Sequence, residues 1–410
     1  IKSLYGLKQA GRLWNRLLHK ILVKLGFCQC YTDGCLYYKR DAGGVTLVGA
    51  YVDDLLVTVV SKFLGIGFEC DKDKGWLLEQ RQVILGMLDK FGLSEASAVR
   101  VPIGGEHEND VDGELLPNDG AGSPQRPTVQ TFQSLVGSLL WIARCTRPDI
   151  AYAVHRVTRR THEPRVSDWR LAKKIARYLK GAVDTKFAMH APRGSMSEDT
   201  IVVEGYSDAD FAGDRVDRKS VSGGVLMVCG MVVGWICKKQ SSVALSTMEA
   251  EFVAASQVTA EMLGVVELLS EIGIKVEVPY KLHVDNQAAI KQIEGEDTSG
   301  RAKHIDIRLK FIKDLSRNKG LNVSYCESKL MRADILTKTL PAPRLECSSC
   351  SRRDRARRSV GTRNRCVRWY GRLRTVAGVS SRRHGGYQGL QGGAVVARRG
   401  PLHMSRNQVR

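Results

Sequence analysis

No uninterrupted apolar run in this 410-residue sequence reaches the roughly 18 residues needed to span a membrane. Nor is there the succession of charged, apolar and small residues that marks a secretory leader. The expectation is an intracellular chain, cytoplasmic or nuclear, with no membrane partner. Paired cysteines are missing too: eleven Cys are scattered without regular spacing, which suits reduced thiols rather than a disulfide frame. Cys347 and Cys350 make a single C-x-x-C, and no second pair or His follows at zinc-site distance, which argues against a metal finger. Lysine is absent from residues 345–410, where 16 Arg meet only two acids, Glu346 and Asp354, so fourteen of the twenty net positive charges sit there. That Gly-, Ser- and Arg-rich tail, taken as 342–410, has no apolar periodicity and is expected to be disordered. Two readings of it stay open: an electrostatic arm that neutralises phosphates, or translation of GC-rich sequence past the end of the frame. The length leaves room for two or three domains.

Acids, by contrast, stand where strands end. Ile201-Val202-Val203-Glu204-Gly205-Tyr206-Ser207 alternates like a strand with one buried face, and Asp208 and Asp210 follow it. Lys281-Leu282-His283-Val284 is a second short strand with Asp285 directly after it. A carboxylate in such a place lies at the rim of a sheet, where several can converge without full desolvation. Two aspartates of this kind and a glutamate from a helix packed across them suit a pair of divalent cations about 4 Å apart, which activate water and steady the leaving oxygen of a phosphodiester. Magnesium is the expected ion, because it takes hard oxygen ligands and keeps waters for substrate to displace; manganese is the alternative.

The helix between these strands carries two glutamates. Ser246-Thr247-Met248-Glu249 fits a capping box, with Ser246 as N-cap and Glu249 reaching back to a free backbone N–H. The apolar stripe runs Met248, Phe252, Ala255, Met262, Val266, Leu269; Glu251 borders it while Glu249 points away. Glu251 is therefore the candidate ligand, against the alternative of a solvated helix residue.

Six segments follow one another in order over about 140 residues: Gly205 to Asp214, Lys219 to Gly224, Ser246 to Phe252, Val284-Asp285-Asn286, Lys303-His304-Ile305-Asp306-Ile307 and Ala333-Asp334-Ile335-Leu336-Thr337-Lys338. Together they resemble the ribonuclease H domain of Ty1/copia-type retrotransposon polyproteins. The resemblance implies hydrolysis of the RNA strand of an RNA–DNA hybrid by two metal ions held on Asp208, Glu251, Asp285 and Asp334. Asp208 and Asp285 would face both ions, Glu251 one and Asp334 the other. His304 would assist proton transfer or product release, or would be a structural residue before a helix. Asp210, Asp214 and Asp306 are expected as polar rim or loop residues.

The N-terminal region centres on Ala50-Tyr51-Val52-Asp53-Asp54-Leu55-Leu56-Val57, where strand-like runs at 45–48 and 55–60 flank two acids, a hairpin that presents aspartates at its tip. With Ser3 to Ala10, an amphipathic helix of Trp14, Leu17, Leu18, Ile21 and Leu25, and Gly26-Phe27, it resembles the palm of the Ty1/copia reverse transcriptase. Lys62 to Ile66, Val136 to Trp141, Thr146-Arg147-Pro148-Asp149-Ile150 and Arg177 to Gly181 resemble that family's thumb and connection. Family members carry a further palm aspartate upstream of the segment matched by Leu4 to Ala10, and more palm strands where Ser61 here meets Lys62. Asp53 and Asp54 are accordingly expected to mark a polymerase site without serving it.

Residues 104–130 and 191–200 read as linkers. Helical segments are expected near 131–145 and 167–181. The second sets Arg170, Lys173, Lys174, Arg177 and Lys180 along one side with Trp169 and Tyr178 among them, which suits either a hybrid backbone or a solvated helix face. Lys238, Lys239 and Lys303 are further basic candidates near the acids. The fold class expected is α/β in the multi-domain, α+β sense. It comprises a truncated reverse-transcriptase palm (1–103), a helical thumb or connection (131–190), a ribonuclease H-like five-stranded mixed sheet with helices (201–341) and the basic tail. The partners expected are nucleic acid and, specifically, an RNA–DNA hybrid.

Overall fold

The computed structural model describes residues 10–348 and 366–370 apart from 42–43, 52–53, 58–60, 72–74, 105–112, 121, 191–199, 215 and 296–302; side chains at 303–309, 346–348 and 366–370 are likewise outside the description. Asp53, the Cys350 half of the C-x-x-C and the linker at 191–199 therefore fall outside the described residues.

Helix α1 (Ala10–Lys24) leads into an antiparallel sheet of β1 (Cys28–Gln29), β2 (Leu36–Asp41), β3 (Gly44–Tyr51) and β4 (Asp54–Val57), in that order. The hairpin expected around the acid pair forms, with Val48 opposite Val57 and Tyr51 opposite Asp54, and Asp54 is exposed. The helix is covered less than its stripe implies. Leu18 and Leu22 pack on Tyr37, Val48 and Ala50, but Trp14, Leu17, Ile21 and Leu25 remain 41–57% exposed. Four short strands offer one small apolar patch, so a single line of the helix finds cover.

The chain continues through β5 (Lys62–Phe63), β6 (Ile66–Asp71), β7 (Gly75–Glu79), α2 (Arg81–Lys90), α3 (Val129–Cys145), α4 (Ala151–Thr158), α5 (Val166–Gly181) and β8 (Lys186–His190). Ile84 and Leu88 of α2 share one core with Phe132, Leu139, Val154, Ile175 and Leu179. The division at 103 drawn from the sequence thus separates α2 from the helices it packs with. Part of the expected linker is built into the same core, since Leu116 is buried in it and the Thr128 hydroxyl accepts from Thr131 N–H to cap α3.

The second half holds β9 (Val203–Asp210), β10 (Val221–Val228), β11 (Met231–Lys239), α6 (Thr247–Glu271), β12 (Tyr280–Val284), α7 (Gln287–Glu294), α8 (Lys303–Arg317) and β13 (Leu321–Tyr325), then a 3-10 turn, Arg332–Leu336. The sheet order is β11-β10-β9-β12-β13. Strands β9, β10 and β11 are antiparallel and β12 runs parallel to β9 and β13, which gives the expected mixed five-stranded sheet. The tight β10–β11 turn has Cys229 and Gly230 at φ 50° and 76°, the left-handed pair that two-residue hairpins favour. Two elements occur inside the stretch expected to be a disordered tail: α9 (Ala342–Ser348), and β14 (Cys366–Tyr370), which pairs parallel with β8 at the edge of a sheet ordered β14-β8-β7-β6-β5.

Strand β10 is buried at every residue, because both faces of the sheet are covered. Leu226 and Val228 face α6, with Val258 and Met262, whereas Val225 and Met227 join Phe187, Ile335 and Leu340 on the other side. The Trp235 indole N–H donates to the Ala143 carbonyl at 3.0 Å, and the ring lies tilted against Phe187 with centroids 5.5 Å apart. The five-stranded sheet is therefore continuous in packing with the helices that precede it. Helix α6 is long and apolar enough, by length and composition, to cross a membrane. Glu249, Glu251, Glu261 and Glu267 interrupt its apolar sequence, and its buried face lies on the sheet.

Candidate active site

The acids converge at the end of β9. Asp208 lies inside that strand rather than directly after it, because Asp210 still pairs in register with Val221 and its carboxylate accepts from the Val221 N–H. Asp285 follows β12 directly, half-buried, and accepts from the Ser328 hydroxyl at 3.1 Å. Glu251 comes from the first turns of α6, where its Oε1 accepts from the Ala209 N–H at 3.2 Å and its buried Oε2 has no hydrogen-bond partner among the described residues. One carboxylate oxygen from each of Asp208, Glu251 and Asp285 lies within 4.8 Å of the other two. Glu249 has a different task. The Ser246 hydroxyl accepts from Glu249 N–H at 3.1 Å, and the Glu249 carboxylate accepts from Leu245 N–H, one residue before the N-cap position expected.

Burial makes this convergence electrostatically tense. Asp208 is 2% exposed and Glu251 7%. Desolvation pushes the Glu251 carboxyl up to about 9, helped by Asp208 and Asp285. Desolvation also raises Asp208, to about 6, against the Lys338 ammonium and a hydrogen bond from Thr337, with Asp334 and Asp285 adding to the rise. A divalent cation offers what the cluster lacks: a partner for the orphaned Glu251 oxygen and a charge that lets all three acids ionise. Hard carboxylate oxygens from three elements fit such an ion.

Asp334, the fourth expected ligand, is 1% exposed in the 3-10 turn and lies outside the three-acid cluster. Its Oδ1 is 2.8 Å from Lys338 Nζ, which also reaches Asp208 Oδ2 at 3.5 Å. The Thr337 hydroxyl donates to Asp208 Oδ2, and Arg344 of α9 donates to Asp334 Oδ2. Burial works against the Lys338 charge, yet Asp208 and Asp334 hold its pKa above the ordinary lysine value. Lys338 and Thr337 were visible in sequence only as company for Asp334. Arg344 fell beyond the boundary drawn at 341, and no local signal marks it.

The glycine doublet Gly223-Gly224 sets the depth of this site. Gly223 pairs with Asp208 across β9 and β10, and a Cβ on it would stand 2.5 Å from Thr337 Cγ2 and 3.0 Å from the Ala333 carbonyl oxygen. Gly223→Ala is expected to push the 332–337 turn off the strand and to cost about 1–3 kcal/mol. Urea unfolding measures it, and a change below a few tenths of a kcal/mol contradicts the close approach.

The remaining candidates are dispersed. Lys303 and His304 open α8, with their side chains outside the description. Asp306 is in the same position, while Asp210 is a half-buried strand residue whose carboxyl burial raises to about 6. Lys239 is committed elsewhere: its Nζ lies 2.6 Å from Asp214 and 2.8 Å from Asp217, and Arg159 adds to Asp214 at 2.9 Å. Lys238 is exposed. On α5, Arg170 is exposed and Lys173, Lys174 and Arg177 are half-buried, with Arg177 donating to the Ser97 carbonyl at 2.7 Å. The aromatics expected among them are not offered to a ligand. Trp169 is buried in the helical core, and the Tyr178 hydroxyl donates to buried Asp149 at 2.8 Å.

Fold and site together define an α/β chain in which a mixed five-stranded sheet and one long helix hold a three-carboxylate centre. A family model described as reverse transcriptase (RNA-dependent DNA polymerase) matches residues 1–61. The chain is 31% identical over 371 residues to the retrovirus-related Pol polyprotein from transposon TNT 1-94 of Nicotiana tabacum, covering 84% of this chain and 27% of that protein. It is 30% identical over 364 residues to the retrovirus-related Pol polyprotein from transposon RE2 of Arabidopsis thaliana, covering 83% and 24%. Among solved structures, the N-terminal RNase H domain of a Mycobacterium tuberculosis protein is similar with a TM-score of 0.26 and 12% identity, over 34% of this chain and 91% of that one. The chain belongs to the Ty1/copia-type retrotransposon Pol polyproteins. It spans about a quarter of the length of the curated relatives it matches.

Proposed function

We propose that this chain hydrolyses the RNA strand of RNA–DNA hybrids at the cluster of Asp208, Glu251 and Asp285, with magnesium as cofactor and manganese able to replace it. The observation that carries the reading is the meeting of these three carboxylates within 4.8 Å at a buried strand end, with one Glu251 oxygen unpartnered. Such a cluster is unfavourable by itself and becomes favourable around a cation. Bound there, divalent ions lower the pKa of a water and offset charge on the phosphate. Asp208, Glu251 and Asp285 would hold the ion on which cleavage depends, and Asp334 would be the further carboxylate for a second ion once its cations release it. Lys338 keeps Asp208 and Asp334 within reach of one ammonium. Arg170, Lys173, Lys174 and Lys238 are proposed phosphate contacts, and the hybrid would be read by shape and 2′-hydroxyls rather than base order. Lys239 is left out because its acids already hold it.

The test is incubation of the full chain with an end-labelled hybrid, double-stranded DNA and single-stranded RNA. Cleavage of RNA in the hybrid alone, stopped by EDTA and restored by magnesium, is expected. Equal cutting of single-stranded RNA, or cutting that survives EDTA, contradicts the reading. A second reading, a non-catalytic nucleic-acid-binding remnant, draws on the two cations already lodged on Asp334. It requires hybrid binding that EDTA leaves unchanged and no cleavage under any metal.

A further inference from the structure

Helix α9 lies outside the five-stranded sheet, yet it places a cation on the acids. Arg344 Nη2 donates to Asp334 Oδ2 and, at 3.0 Å, to the Ser328 carbonyl, while the Ser328 hydroxyl donates to Asp285 Oδ2. The other Asp334 oxygen faces Lys338 Nζ at 2.8 Å. Leu345, 5% exposed, seats the helix in the cluster that holds Ile335 and Leu340. Both oxygens of Asp334 are thus engaged by cations of this chain, and Asp334 is the acid that stays out of the 4.8 Å cluster. One carboxylate between two cations carries a local charge of +1. A second dication brought to it meets repulsion, whereas the triad on the other side remains an anionic seat for one ion.

We propose that Arg344 is a positioning residue that sets the metal count: while it holds Asp334, the site takes one divalent ion on Asp208, Glu251 and Asp285, and a second binds only when Arg344 is withdrawn. This rests on the metal-dependent reading given above. Arg344 is a better control point than Lys338, because Lys338 also touches Asp208 and its loss would disturb the first ion. The Arg344 side chain is 43% exposed, so its replacement leaves little unfilled core.

Bound Mn2+ is counted by electron paramagnetic resonance during titration of the full chain, for wild type, Arg344→Lys, Arg344→Met and Arg344→Gln, with thermal unfolding to confirm that each is folded. One bound ion is expected in wild type and Arg344→Lys. Two are expected in Arg344→Met and Arg344→Gln, the second at least tenfold tighter than any second ion of wild type and lost again when Asp334→Asn is added. Two tight ions in wild type, or a single ion in both neutral variants, overturns the role of Arg344 while leaving the metal reading in place. No bound Mn2+ in wild type overturns both.

Discussion

Glu251→Gln is expected to reduce magnesium-dependent hybrid cleavage by about a thousandfold or more and yet to leave the metal-free protein as stable as before, or more so. A ligand lost from a metal that supplies several kcal/mol of charge stabilisation translates to that order of rate. Stability goes the other way because burial raises the Glu251 carboxyl to about 9, so without a cation the folded side chain is neutral at pH 7. Gln has the same shape, keeps an acceptor for the Ala209 N–H and introduces no charge. The sign of the pH dependence follows. Glu251 titrates near 4.5 when unfolded and about 9 when folded, so between those values the folded state holds the extra proton. Its stabilising contribution is complete below about 4.5 and is lost as pH rises towards 9. Asp208 does the same over the narrower window from 3.8 to about 6. In EDTA, the unfolding temperature of wild type should therefore fall with pH across this range, and that of Glu251→Gln should fall less. Magnesium competes with these protons, so its stabilising effect should grow with pH in wild type and vanish in the variant. Parallel pH curves for the two proteins in EDTA would remove the buried-acid account of the site.

Which parts of this were legible beforehand depended on how local the information was. Alternation in 201–207 and 281–284 located the central strands and their acids, and the 3.6-residue stripe of α6 picked out Phe252, Ala255, Met262 and Val266, which are buried, but not Ala250, Val253, Ala254 and Ser256, which are buried as well. What the sequence concealed was allegiance between distant segments. Helix α2 joins helices that begin some forty residues later in the chain, and no periodicity says which core an amphipathic helix will share. Trp169 looked like a partner of the lysines beside it, but 3% exposure assigns it to the interior, with Lys173 5.6 Å over its ring. Asp334 looked equivalent to the other acids until Lys338 and Arg344 were found on its two oxygens.

Arg147→Met is expected to cost about 3–5 kcal/mol, because it leaves one charge of a buried pair without its partner. Arg147 is 1% exposed and Asp149 4%, and the pair is bidentate: Nε to Oδ1 at 2.9 Å and Nη2 to Oδ2 at 2.7 Å. Nη1 also donates to the Ala182 carbonyl at 3.0 Å, which ties the end of α5 to the turn before α4. Burial works against the guanidinium charge, but Asp149 more than offsets it and holds Arg147 firmly charged. Without Arg147, the carboxylate is left among the described residues with the Tyr178 hydroxyl, and that phenol, already raised by burial and by Asp149, cannot supply a positive charge. The consequence should extend to the acids, because Asp149 lines the same small cavity as Ile335, Lys338 and Leu345. An unpaired charge there drives either hydration of the cavity or movement of the 332–336 turn, and both loosen Lys338 from Asp208 and Asp334. Removing both charges, as Arg147→Met with Asp149→Leu, should recover a good part of the loss, since apolar groups of similar volume replace buried ion pairs at little cost. Urea unfolding of the three proteins, beside hybrid cleavage at a temperature where all are folded, separates the effects. If the single variant loses less than about 1 kcal/mol, the pair is solvated in solution and does not brace the site.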